Sequence, residues 1–273
     1  MRWWMAMVAG AVALAGVGVA PAQAGSPLRI ASDDWCPYIC VGADGRSITS
    51  GFMVDATARA LELAGLSVEP QLMPLNRALA FTLGGQIAGL YAPAIDRRLV
   101  MSAPLIRSRA CFYTRSVSTW RYQGLASLAQ RQLGVIADYG YDDGPMDAYL
   151  AREQRNHKLV EFNHGEDAGM KNIRKLLYGR YDVVLEHETV MHRLLIQLGE
   201  KNFVRQSGCL EHYLPLVVGF SAKLPEAREL VRKLDAGVVQ MKASGEYARL
   251  LLRYEISDPD PAPVAARHAP SMH

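Results

Sequence analysis

LRIASDDWCPYICVGADGRSITSGFMVDATARALELAGLSVEPQL, residues 28–72, changes its hydrophobic period twice. Leu28 to Ser32 reads as a short apolar strand. Val54 to Ala64 places Val54, Ala58 and Leu61 on one helical face, and Gly65 stops it. Leu66 to Leu72 returns to a strand with Leu66, Val68 and Leu72 on one side. Pro70 makes that strand an edge or a broken one. The rhythm continues with a helix over Asn76 to Leu83, ended by Gly84-Gly85, and a strand over Ile87 to Ala92.

The same alternation recurs further on. Strands are predicted over Gln132 to Ala137, Leu159 to Phe162 and Tyr181 to Leu185. Helices are predicted over Pro145 to Arg152, Asp167 to Leu177 and Glu188 to Leu198. Strand and helix in turn imply an α/β fold with largely parallel sheets. The last third differs. A strand over Leu216 to Phe220 precedes a long helix from Pro225, broken by Gly245, and a second helix over Tyr247 to Arg253. From Asp258 the chain is rich in Pro and Ala without periodicity, which predicts a disordered tail over 258–273.

The 273 residues are 50% hydrophobic with a net charge of +3, which excludes a disordered chain. That charge is no nucleic-acid footprint either. The basic group Lys171, Arg174 and Lys175 is short and at helical spacing, so it reads as a solvated face. Residues 1–24 join Arg2, an apolar run from Met5 to Ala20 and Ala22-Gln23-Ala24. This is the pattern of a cleaved secretory signal peptide, which predicts an extracytoplasmic, periplasmic protein. Four cysteines in an oxidising compartment allow three pairings of two disulfides. Pro37 favours the tight turn that a Cys36–Cys40 bridge needs, leaving Cys111–Cys209.

Several chemistries find no support. His187 and His192 stand at i, i+5, which rotates the second ring about 140° from the first, so they do not form an HExxH zinc site. There is no G-x-S-x-G elbow and no phosphate-binding glycine loop. Asp138, Asp142 and Asp143 lack calcium-loop order, and the cysteine spacing does not match a zinc knuckle. No metal or cofactor is expected.

Several segments, in order, resemble the extracytoplasmic solute-binding proteins of family 3, the receptors of polar amino-acid ABC importers. They are LRIASDDWCPY, GFMVDATARALELAG, GGQIAGLYAPAIDRRLVMSAPL, SLAQRQLGVIADYGY, LLYGRYDVVLEH and SGEYARLLLRY. The likeness spans nearly all of Ser26 to Tyr254. It implies a two-lobed fold of the type II periplasmic-binding-protein kind, with a two-strand hinge and a ligand cleft. One lobe would hold residues 25–111 and 216–257, the other 112–215. The implied function is capture of a small polar, anionic or amino-acid-like solute by a monomer, with an ABC-transporter permease as partner. Relatives on this scaffold also include periplasmic dehydratases of cyclic carboxylates and stand-alone binding proteins that serve sensors.

The resemblance carries over residue by residue. The carboxylate-binding Arg falls on Arg98, and the covering aromatic on Trp35 or Tyr38. Hydroxyl-bearing positions fall on Tyr91 and Pro93, so those donors are mostly lost. The loop Asp138-Tyr139-Gly140-Tyr141 is expected to open a helix whose free N–H groups hold an anion. The Asp that receives an α-ammonium falls on His187, flanked by Glu186 and Glu188, so either a neighbouring Glu substitutes or the ligand is not an α-amino acid. If the strand runs on, His187 alone faces the cleft, and binding should vary between about pH 5 and 8 through its imidazole. Arg77 is a further cleft candidate.

Overall fold

The computed structural model describes residues 26–155, 158–165 and 167–257. The expected signal peptide and the expected disordered tail lie outside these residues. The described chain runs through β1 (Leu28–Ser32), β2 (Cys40–Val41), β3 (Ile48–Ser50), α1 (Phe52–Glu62), β4 (Val68–Leu72), α2 (Leu75–Gly84), β5 (Gly89–Tyr91), β6 (Leu99–Met101) and β7 (Ile106–Ser108). It continues through β8 (Ala110–Arg115), β9 (Leu133–Ile136), α3 (Pro145–Glu153), β10 (Val160–Asn163), α4 (Ala168–Leu177), β11 (Val183–His187) and α5 (Glu188–Leu198). It ends with β12 (Val204–Cys209), β13 (Leu214–Leu216), β14 (Val218–Ser221), α6 (Ala227–Ser244) and α7 (Glu246–Arg253).

Two five-stranded sheets carry the two lobes, in the orders β4-β1-β5-β14-β6 and β10-β9-β11-β8-β12. Each contains a βαβαβ unit whose three strands are parallel. The two remaining strands of each sheet pair antiparallel. The sheets are therefore mixed rather than largely parallel, because β8 and β14 each enter a sheet from the crossing between lobes. That crossing is an antiparallel pair of β7 with β13, in the register Leu214↔Ser108. Cys111 lies in β8 of the second sheet, so the crossing precedes the boundary expected at 111/112.

Burial follows position in the sheets. The central strands β5, β9 and β11 are buried at every residue, as strands covered on both faces must be. Pro70 sits in β4, an edge strand, where its missing N–H leaves no ladder bond unmade. Against the first sheet, α1 and α6 pack very closely: a Cβ at Gly237 would stand 2.3 Å from the carbonyl oxygen of Ala60. The first lobe's hydrophobic core does not end at the hinge. Leu214 of β13 and Val190 of α5 belong to it, so the lobes share apolar contacts.

Both expected disulfides are present, Cys36–Cys40 and Cys111–Cys209. The second ties neighbouring strands β8 and β12 across 98 residues of sequence; the first spans 4. In the chain-entropy picture the longer loop restrains the unfolded chain more, by about 4.7 kcal/mol against about 2. Replacing Cys111 and Cys209 by Ala should therefore lower stability in urea unfolding more than replacing Cys36 and Cys40. The reverse order would show that the short bridge holds native structure the long one does not.

Candidate functional site

Three strand ends converge between the lobes. Asp33, Asp34 and Trp35 follow β1, Asp138 and Tyr139 follow β9, and Glu186 and His187 end β11. Carboxyl ends of strands are where open α/β sheets hold ligands. The loop carrying Trp35 and Tyr38 is fastened to the start of α1. Phe52 and Met53, whose N–H groups lack intrahelical partners, donate to the carbonyls of Pro37 and Tyr38. Gly51 permits that approach: its φ is 130°, and a Cβ there would lie 2.4 Å from the Tyr38 oxygen.

His187 is the centre of the junction. Its ring is wholly buried. Nε2 lies 3.1 Å from the carbonyl oxygen of Gly140, which can only accept, so Nε2 carries the proton. Nδ1, 2.8 Å from Ser108 Oγ, is then the acceptor. Tyr38 donates to the same Ser108 oxygen at 3.0 Å. The chain Tyr38, Ser108, His187, Gly140 thus joins first lobe, hinge and second lobe. Trp35 meets the His187 ring edge-on at 5.0 Å, and Tyr141 stacks on it at 5.7 Å. Burial holds the imidazole neutral and pushes it down to about 4; the Gly140 bond acts the other way. That lies below the range in which titration was expected, and both ring nitrogens are engaged within the protein.

Glu186 takes the position expected of His187. It is buried and borders an inter-lobe cavity of about 100 Å³, with Trp35, Tyr139 and Arg193. Its Oε1 accepts the backbone N–H of His187 at 2.7 Å. Burial drives the carboxyl up to about 8, against that bond. Strand alternation fails here because the chain turns at His187, the N-cap of α5. Glu188 opens α5 and is exposed.

Other expected residues fare differently. Tyr139 reaches across the cleft, its hydroxyl 3.4 Å from Asp33 Oδ2, and borders three inter-lobe cavities, of about 30, 100 and 320 Å³. Asp138, at φ 64°, accepts from Asn76 of α2 at 2.9 Å, a second bond between lobes. Tyr141 is buried in the second lobe and accepts the N–H of Ile136. Tyr91 is buried in the first core and borders none of these cavities, while Pro93 borders the smallest. Arg98 is on the surface with its side chain 66% exposed, and its fork is engaged by Asp96. Neither Arg98 nor Arg77 borders an inter-lobe cavity.

The start of α3 is not an open anion site. Asp142 accepts the N–H groups of Gly144, Met146 and Asp147, and Asp147 accepts those of Tyr141, Asp142 and Asp143. The chain supplies its own carboxylates where a ligand anion was expected. Asp33 and Asp34 went unnoticed in the sequence. Their place directly after a strand was the available signal. Burial raises Asp33 to about 6, against hydrogen bonds from its own backbone, Tyr139 and Ser32.

No protein-family model and no curated protein matches the chain. Solved structures do. A histidine kinase sensor domain with similarity to periplasmic binding proteins aligns with a TM-score of 0.72, at 17% identity over 87% of this chain and 100% of that one. An arginine-, lysine-, histidine-binding protein from Geobacillus stearothermophilus aligns at 0.65, 15% identity, 85% and 96%. An ancestral amino acid-binding protein, described as a precursor of cyclohexadienyl dehydratase, aligns at 0.64, 15% identity, 84% and 94%. These likenesses establish the two-lobed periplasmic-binding-protein fold.

The buried pair titrates in opposite senses. Glu186 keeps its proton to about pH 8 when folded and to 4.5 in its ordinary state, so its contribution is complete below pH 4.5 and is lost as pH rises to 8. His187 moves from 6.5 to about 4, so its contribution is complete above 6.5 and is lost as pH falls to 4. Asp33, raised to about 6, is half ionised at that pH, and its contribution is lost as pH rises through it. Between about pH 7 and 8 Glu186 is therefore the dominant group of the three, and stability should fall. Urea midpoints of Glu186→Gln should stay flat over that interval. A wild-type-like fall in the variant would assign the effect to another group.

Proposed function

We propose that this chain is a solute receptor whose two lobes close over one small polar molecule held between the ends of β1, β9 and β11. One observation carries the reading: a space of about 320 Å³ lies between the lobes, walled by Asp33 and Asn76 from one side and Asp138 and Tyr139 from the other. Small-molecule sites span about 300–1,000 Å³ and combine apolar walls with a few placed polar groups. Tyr139 to Asp33 and Asn76 to Asp138 bridge its two sides. Hinge closure around a ligand makes such bridges.

Two disulfides and the leader-like residues 1–24 favour an extracytoplasmic, periplasmic setting. Delivery of the solute to an ABC-type permease is the reading that the amino-acid-binding neighbour supports. Sensing is a second reading, favoured by the histidine kinase sensor domain, which this chain matches over its full length. In both, the protein binds and releases without covalent chemistry.

A thermal-shift screen of amino acids, amines, organic acids and sugars tests the reading. A solute at about 100 times its Kd should stabilise the protein by about 2.7 kcal/mol. Leu75 borders two of the cavities that Tyr139 lines, so Leu75→Trp should weaken the identified solute at least tenfold. Arg98→Ala should leave its affinity within about twofold. Unchanged binding in Leu75→Trp would place the site elsewhere.

A further inference from the structure

Resting on the receptor reading, we propose that the cavity of about 100 Å³ between Trp35 and Glu186 is the subsite for a carboxylate of the solute. The Trp35 indole N–H, the Glu186 carboxyl and the first turn of α4 receive it, and Arg193 is its counter-charge. The loop after β1 brings Asp34 and Trp35 to this space, and the second lobe brings Gly169, Glu186 and Arg193.

Two buried side chains reach it with a polar atom unengaged. Trp35 is 8% exposed, and its Nε1–H meets no acceptor among the described residues. It borders this cavity and the smaller one of about 30 Å³. A buried donor left unmade is costly, so a ligand oxygen has a place to go. Glu186 is 1% exposed. Its Oε1 accepts the His187 N–H, whereas no hydrogen bond engages Oε2 among the described residues. A Cβ on Gly169 would stand 3.7 Å from Oε2, so that oxygen faces the first turn of α4. Burial pushes the carboxyl up to about 8, so it holds its proton near neutral pH, and with Oε1 accepting, Oε2 is the donor. Such a group donates to a carboxylate and has no negative charge to offer an ammonium.

The helix and the arginine supply the charge. The N-cap of α4, Asp167, makes no side-chain capping bond and pairs with Lys171 instead. The N–H groups of that first turn therefore keep their partial positive charge, and Gly169 has no side chain to cover them. Arg193, on α5, has no ion pair or hydrogen bond among the described residues. Asp34 opposes this balance, and its Oδ1 accepts the Val41 N–H. Four donor groups against one acid make the cavity a receiver of oxygen rather than of ammonium.

Calorimetry on the purified chain at pH 6.5 would pair acetate, succinate and glycine with acetamide, succinamide and glycinamide. The proposal expects an acid, from these or from the wider screen, to bind at least tenfold tighter than its amide. Arg193→Gln, at an exposed helix position, should weaken that acid at least tenfold, and Trp35→Phe at least fivefold. Glu186→Gln should stay within threefold, since an amide N–H donates where the acid O–H did. Binding of glycinamide or ethylamine that is lost in Glu186→Gln would make Glu186 an acceptor for a cation and overturn the proposal. An acid whose affinity is unchanged in both Arg193→Gln and Trp35→Phe, yet lost in Leu75→Trp, would overturn the subsite and leave the receptor reading standing. A wider screen that yields only solutes without a carboxylate would do the same. A screen that yields nothing would overturn both.

Discussion

A neutral, doubly hydrogen-bonded imidazole at the crossing between two lobes is the constraint on which the cleft depends. His187 holds Ser108 of the hinge and the Gly140 carbonyl of the second lobe at once. Through Ser108 it also holds Tyr38, whose loop is pinned to α1 of the first lobe. Protonating the ring would oppose the Ser108 hydroxyl with a second donor and bury a charge, each costing more than the bond it breaks. The junction therefore sets how the lobes meet in this structure, and the cavities of the cleft follow from it.

The cleft is otherwise a compromise between packing and vacancy for a guest. Trp35, Tyr38, Tyr139 and Tyr141 surround His187 with aromatic area. Such area stabilises closure at roughly 25 cal/mol per Å². The same rings divide the inter-lobe space, with Tyr139 as the partition.

Much of the scaffold was legible because it depends on local pattern. Leu28–Ser32 and Glu188–Leu198 were read to the residue, since strand and helix periods show plainly there. The strand read over Leu216 to Phe220 is two, β13 and β14, because the hinge strand ends at Leu216 and Val218 begins the next sheet. Ala110–Arg115 escaped notice: five of its six residues are buried, so it shows no alternation. The site was less legible, since its properties arise from burial and long-range contact. Arg98 suits a carboxylate by residue type, yet Asp96 already holds its fork. His187 looked like a titrating switch because nothing in sequence reveals two partners 47 and 79 residues away. Asp33 and Asp34 gain meaning only when Asp138 is brought opposite them.

Nitrogen-15 NMR of the His187 imidazole tests the central claim directly. The ring should stay neutral, with its proton on Nε2, from pH 5 to pH 8. An imidazole that titrates near 6.5, or carries its proton on Nδ1, would contradict the junction and the closed cleft built upon it.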